Sequence, residues 1–167
     1  LGRYESWNTR TFEEKTFCFK QLRDWILSFG YNQQLELMKA ITSTSDRKQY
    51  LDLCLSWNEV LTLDQHPLIT IGAHTHSHPN LKQLTKESAR SEIMLSKILL
   101  EEKLSHSIKH FAYPFGSENE ADDREFELAN ECNFKSAVTT RRETTQSYSL
   151  NSIPRLGVSP SLNRQSF

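Results

Sequence analysis

The stretch Leu68-Ile69-Thr70-Ile71-Gly72-Ala73-His74-Thr75-His76-Ser77-His78-Pro79 decides the fold. Its first six residues form a short apolar run, which reads as a buried strand. Histidines at 74, 76 and 78 follow directly at the exit. In a parallel α/β barrel the loop after a strand lies on the active-site face. Imidazole is also the commonest protein ligand for zinc and similar divalent ions. If the chain turns after His74, the His74 and His78 rings converge on one ion and His76 points elsewhere. If it stays extended, all three rings share a face. Three surface histidines in a polar loop are the bland alternative.

Downstream of this stretch the pattern alternates. Thr85 caps a helix over 86–104, with Ala89, Ile93, Leu100 and Leu104 on one face. Ile108 to Tyr113 reads as a second strand, and Asp122 or Asp123 opens a helix running to Cys132. Phe134 to Thr139 is a third strand, 140–149 a polar loop, and Ile153 to Val158 a fourth strand. Strands alternating with helices imply parallel strands joined by crossover helices. The acidic run Glu118 to Glu131 reads as a solvated helix face.

Upstream the pattern is helical. Thr11 and Glu14 form a capping box, in which each side chain satisfies the other's backbone N–H. Phe19, Leu22, Ile26 and Phe29 follow at helical spacing, and Gly30 offers a left-handed end. A second helix is expected over 33–41 and a linker at Thr42 to Ser45. Asp46 caps a short helix through Cys54, and Ser56 with Glu59 makes another capping box. Trp7, Trp25 and Trp57 read as packing residues.

Composition narrows the function classes. The chain has 167 residues, 37% of them hydrophobic, with net charge −1 and a mean hydropathy of −0.61. No stretch approaches the roughly 18 apolar residues of a membrane-spanning helix. There is no global basic field to attract nucleic acid. Cys18, Cys54 and Cys132 match neither a zinc ribbon nor a CxxC pair and read as buried thiols.

A second motif, Phe111-Ala112-Tyr113-Pro114-Phe115-Gly116, ends the second strand. Proline fixes φ there, and glycine permits a tight turn. Together with Ile71-Gly72-Ala73-His74-Thr75-His76-Ser77-His78-Pro79-Asn80-Leu81, it resembles the polysaccharide deacetylase family, the NodB-homology carbohydrate esterases. Glu92 and Ser96, Ser136 to Thr140, and Ile153-Pro154-Arg155-Leu156 fit the resemblance more loosely. It covers roughly residues 56–158.

The resemblance implies an α/β fold. That fold is a partial, distorted (β/α) barrel of the NodB type with a mostly helical N-terminal third. Residues 1–167 then form one truncated domain. Residues 1–55 are a helical segment inserted between barrel strands, and 56–158 are the recognisable barrel portion. The implied activity is metal-dependent hydrolysis of N- or O-acetyl groups on a polysaccharide or amino sugar. His74 and His78 fall on the metal histidines. Thr75 and Ser77 fall on the hydroxyl positions that shape the turn. Phe115 falls on the aromatic residue whose N–H faces the oxyanion, with Tyr113, Pro114 and Gly116 shaping its loop. The implied cofactor is a divalent metal, zinc by expectation, with cobalt or nickel as alternatives. The implied partner is an acetylated saccharide, with no nucleic acid partner and no transmembrane segment.

The sequence departs from the family where the catalytic aspartates belong. The family's Thr-Phe-Asp-Asp-Gly type motif is absent, and Asp122-Asp123 follows both other motifs, where helix capping explains it. No late leaving-group histidine is evident after residue 110. Ala112 stands where many members carry an Arg, and Arg155 is the candidate replacement, against a surface or salt-bridge role. Two readings of the missing aspartates follow: a fragment, since the chain starts at Leu1 rather than Met, or a non-catalytic carbohydrate-binding pseudoenzyme. An amidohydrolase-type metalloenzyme using His74 and His76 is the third reading. Cell envelope and bacterial cytoplasm both stay open as locations, and so does oligomeric state.

Overall fold

The computed structural model describes residues 6–42, 53–142 and 149–155. The chain divides into two units, Leu1–Lys48 and Gln49–Phe167.

The first unit holds two helices, α1 (Phe12–Leu27) and α2 (Tyr31–Thr42). The expected capping box starts α1: the Glu14 N–H donates to Thr11 Oγ1 at 3.2 Å, and the Thr11 N–H donates to Glu14 Oε2 at 3.1 Å. The end differs from expectation. The helix closes on Ser28 in the right-handed region, and among the described glycines only Gly116 has positive φ. Gly30 instead begins α2, whose Gln34 N–H donates to the Gly30 carbonyl at 3.0 Å. No residue of α1 is fully buried. Trp25 packs edge-on against Phe29 at 5.1 Å. Two helices of this length have too little apolar surface between them to enclose a core.

The second unit begins with α3 (Trp57–Asp64), capped by the Ser56 and Glu59 box. The long helix α4 (Lys86–Leu104) starts at the expected cap, with the Ser88 N–H donating to Thr85 Oγ1 at 3.2 Å. Ala89, Ile93 and Leu104 turn inward as the spacing requires, and Leu100 packs against them. Strands β1 (His110–Ala112) and β2 (Ser136–Val138) pair in parallel, with Phe111 opposite Ala137. Helix α5 (Asp123–Glu131) connects them. Ala73 extends the sheet on one side by bridging to Phe111, and Ile153 extends it on the other by bridging to Val138. The result is four parallel segments in the order Ala73, β1, β2, Ile153, with crossover helices. It is the open α/β arrangement of part of a barrel.

The 68–73 run differs from the buried strand expected of it. Only Ala73 pairs, and Leu68 is 88% exposed. Apolar character permits a buried strand, but pairing and cover are what make one, and among the described residues 68–72 have no ladder partner. Gly72 lies so close to β1 that a Cβ there would sit 3.1 Å from the His110 carbonyl oxygen. The expected fourth strand is seen only at Ile153, since 156–158 fall outside the described residues. The expected short helix from Asp46 does so for most of its length.

The acidic run also differs. Glu125 is fully buried rather than solvated. It accepts the Asp122 N–H at 3.1 Å and the Arg124 Nε–H at 2.7 Å. Arg124 spends its remaining donors on the Leu81 and Leu84 carbonyls, at 2.8 and 3.1 Å. This pair therefore ties α5 to the chain that follows the histidine cluster. Among the cysteines, Cys132 is buried, Cys18 half-buried and Cys54 exposed.

Two outcomes test this packing. Arg124→Ala leaves the Glu125 carboxylate buried without its cation, and should cost about 3 kcal/mol in urea unfolding. A loss within experimental error would show that Glu125 does not depend on Arg124. Separately, His106 Nε2 lies 2.8 Å from Asp64 Oδ2, and this hydrogen bond raises the imidazole pKa. The pair's contribution is fully present below the ordinary imidazole value of about 6.5 and is lost as pH rises through the raised folded value. NMR titration should show His106 falling back in Asp64→Asn; an unchanged midpoint would refute the contact.

Candidate functional site

The site lies where the parallel segments end. The Ala73 N–H donates to the His110 carbonyl and the Ala112 N–H to the Ala73 carbonyl, each at 2.9 Å. These two bonds bring the exit of the histidine segment beside the exit of β1. The chain then turns. Thr75 has φ of 62° and His78 has φ of 60°. Thr75 Oγ1 donates to the His74 carbonyl at 2.6 Å and accepts the His78 N–H at 3.1 Å. The threonine hydroxyl thus closes the turn locally. Beyond it, buried Pro79 and Leu81 anchor the segment to the core.

The turn stacks rings in a row. His74 and His78 lie edge to face at 4.8 Å between centroids, and His78 meets Phe115 in the same way at 5.0 Å. The His76 ring takes part in no such contact among the described residues. His74 Nδ1 is 2.7 Å from the Ala112 carbonyl. A carbonyl only accepts, so Nδ1 carries the proton and Nε2 keeps its lone pair. That is the second contact a metal-ligating histidine normally makes. The His74 pKa is lowered, first by the removal of water from its ring; the Ala112 carbonyl opposes this, and the charges of His78 and Arg155 add to it.

The aromatic-proline loop forms the opposite wall. Phe115 has φ of 61° and Gly116 of 69°. The Gly116 N–H donates to the Pro114 carbonyl at 2.6 Å, closing a three-residue γ-turn around Phe115. A Cβ at Gly116 would sit 3.0 Å from the Thr140 N and 3.1 Å from the Tyr113 oxygen, so glycine is required there. Thr140 holds both loop carbonyls: its Oγ1 donates to Phe115 at 2.5 Å and its N–H to Gly116 at 2.9 Å. The Phe115 N–H donates to no acceptor among the described residues. Tyr113 is different. Its phenol is buried, its OH donates to the Asn151 carbonyl at 2.8 Å, and burial raises its pKa. It supports the loop from beneath. Residues Thr75, His78 and Phe115 all occupy the left-handed region, at a cost of about 1–3 kcal/mol each for non-glycine residues. The other two non-glycine residues at positive φ among the described residues, Ser105 and Asn133, follow the ends of α4 and α5.

Arg155 reaches toward this wall from the far side of β2. Its Nε–H donates to the Thr139 carbonyl at 2.8 Å, and its charge acts on His74. Asp122 is held at the start of α5 by Lys82 Nζ at 2.5 Å, consistent with the structural role expected of the Asp122-Asp123 pair. Sequence reasoning missed Glu92 as part of the site. Its carboxylate, projecting from α4, accepts the His76 and Ser77 N–H groups and the Ser77 hydroxyl. The resemblance marked Glu92 only as a loose match in a helix, with no role; the fold brings it under the turn.

His74 and His78 suit a divalent metal: two adjacent imidazoles, one with its tautomer set by a carbonyl. Among the described residues, no third histidine, cysteine or carboxylate joins them to complete a metal-binding group.

Comparison with known proteins identifies the family and the fold. The family model for polysaccharide deacetylases matches residues 33–137, more than half of the chain. No curated protein matches it. Among solved structures, the chain is similar to the Streptococcus pyogenes deacetylase PplD in complex with acetate. Identity is 25% and the TM-score 0.60, over 67% of this chain and 48% of that one. IcaB from Ammonifex degensii shares the fold at 19% identity and a TM-score of 0.53, over 63% of this chain and 48% of that one. So does the BpsB deacetylase domain from Bordetella bronchiseptica, at 16% and 0.55, over 62% and 49%. The chain therefore spans about half the length of these structures. With the histidine turn facing the aromatic-proline loop on an open parallel sheet, and with the family model matched across both, the chain belongs to the polysaccharide deacetylase family.

Proposed function

We propose that the protein of which this chain is part removes acetyl groups from a saccharide by metal-dependent hydrolysis, and that His74 and His78 are two of its metal ligands. The observation that carries this reading is the paired His74 and His78 rings, 4.8 Å apart, with Nδ1 of His74 engaged by Ala112. The acetate in the PplD structure is the product such hydrolysis releases.

A bound divalent ion, zinc by preference, would polarise the acetyl carbonyl and lower the pKa of a coordinated water. The chain's own residues do the rest of what is visible. Thr75 and Ser77 hold the turn. The Phe115 N–H, which has no acceptor among the described residues, donates to the oxygen that becomes negative as water adds to the carbonyl. Pro114 and Gly116 fix that N–H in place, and Tyr113 props the loop. Arg155 supplies a fixed positive charge beside His74, where it orients a carboxylate base. The base and the third ligand lie outside the described residues. A non-catalytic saccharide-binding role is the second reading; among the described residues His74 and His78 are joined by no third ligand.

Isolated 1–167 should accordingly bind zinc weakly and release little or no acetate from an acetylated oligosaccharide. Calorimetry should show binding lost in His74→Ala and in His78→Ala but kept in His76→Ala. Loss on removing His76 instead would favour the amidohydrolase-type pair. Robust, chelator-sensitive acetate release by this chain would overturn the expectation of inactivity. Saccharide binding that survives both chelation and His74→Ala would favour the binding module. In the same metal-free samples, NMR should place the His74 pKa below free imidazole, and Arg155→Ala should raise it. An unmoved value would remove Arg155 from the site.

A further inference from the structure

We propose that Glu92 is the positioning residue of the histidine pair: its carboxylate, carried on α4, holds the 75–78 turn in the conformation that makes His74 and His78 converge. The proposal rests on reading these histidines as metal ligands, but it makes a claim about the metal-free turn as well.

The turn needs an external hold. Two of its residues, Thr75 and His78, sit at positive φ, which non-glycine residues adopt only when their surroundings impose it. The Thr75 hydroxyl braces the two ends of the turn, and its middle, His76 and Ser77, faces α4, where the Glu92 backbone carbonyl takes the His76 N–H at 3.1 Å. The Glu92 carboxylate adds to this hold. Its Oε2 also takes the His76 N–H, at 3.1 Å, and the Ser77 N–H at 2.9 Å. Its Oε1 takes the Ser77 hydroxyl at 2.8 Å. All three bonds are to a charged acceptor and so are stronger than neutral ones.

The hold is rigid because its base is rigid. Glu92 stands next to Ile93, which is fully buried, and four residues before buried Ser96. Ser96 in turn donates to the Ile93 carbonyl at 2.8 Å. Helix α4 thus enters the core directly beside Glu92, and the carboxylate inherits a fixed position. With the peptide between 76 and 77 pinned from below, the His76 side chain is left exposed while His74 and His78 face each other. Glu92 touches neither imidazole and acts on them only through the backbone.

A neutral glutamine suits the same contacts. Its oxygen can accept both N–H groups, and its NH2 can donate to the Ser77 oxygen once that hydroxyl rotates. Alanine and leucine offer no side-chain acceptor and keep only the residue-92 backbone carbonyl for the His76 N–H. These variants separate positioning from simple tethering when made in the 167-residue chain. In metal-free wild type and Glu92→Gln, ring-to-ring NOEs between His74 and His78 should be present and the His76 and Ser77 amides protected from exchange. In Glu92→Ala and Glu92→Leu the ring NOEs and the Ser77 protection should vanish, while the spectra of α5 and β2 stay in place. Zinc affinity by calorimetry should fall about 10–100-fold in those two variants, the usual range for removing a contact behind a ligand, and recover in Glu92→Gln. Unchanged ring NOEs in a folded Glu92→Ala or Glu92→Leu would overturn the proposal. So would outright unfolding of both, which would make Glu92 a stability residue. If wild type binds no zinc, the metal reading fails, and the ring NOEs alone still decide the role of Glu92.

Discussion

The constraint on which the site depends is the short parallel pairing of Ala73 with Phe111. Two backbone hydrogen bonds at 2.9 Å bring two strand exits side by side. Parallel strands release their chains at the same end of a sheet, so the histidine turn and the aromatic-proline loop emerge as neighbours, although nearly forty residues separate them in sequence. Everything chemical follows from that end of the sheet. His74 reaches back to Ala112, the next residue along β1 from the bridge. Phe115 comes forward to meet His78. The register of Phe111 against Ala137 then sets Val138 to accept the Tyr113 N–H, which starts the loop.

Both loops are held in conformations they would not choose alone, and each is braced from two directions. The histidine turn has its own threonine hydroxyl and the α4 carboxylate. The aromatic-proline loop has its γ-turn and the Thr140 side chain and amide. Thr140 follows β2 and Glu92 lies on α4, so the supports come from two different elements. Loops braced this way keep their donors and lone pairs in fixed directions, because the secondary structure around them has already ordered them.

Around the sheet, polar contacts serve as ties between helices. Arg124 and Glu125 join α5 to the Leu81 and Leu84 carbonyls. Lys97 of α4 donates to the Cys132 and Asn133 carbonyls at the end of α5, where unsatisfied carbonyls and the helix dipole favour a cation. Among the described residues the buried Glu125 carboxylate is thus paired, and the end of α5 is satisfied by a neighbouring helix.

What the sequence determined by itself was local. The capping boxes at Thr11 and Ser56, the span of α4 and the inward face of Ala89, Ile93 and Leu104 were all legible, because caps and helical periodicity involve residues within a turn or two of each other. The histidine cluster and the aromatic-proline loop were legible as motifs and pointed to the family. Tertiary structure decided the rest. The 68–73 run looked like a strand, but only Ala73 became one, because a strand is made by its partner and not by its composition. Glu125 looked solvated until the Arg124 pairing and the packing of α5 enclosed it. Whether His76 or His78 would join His74 depended on a turn whose middle is held by Glu92, from another element. No local pattern records a contact of that kind, since its two sides are brought together only by the packing of α4 under the sheet's exit.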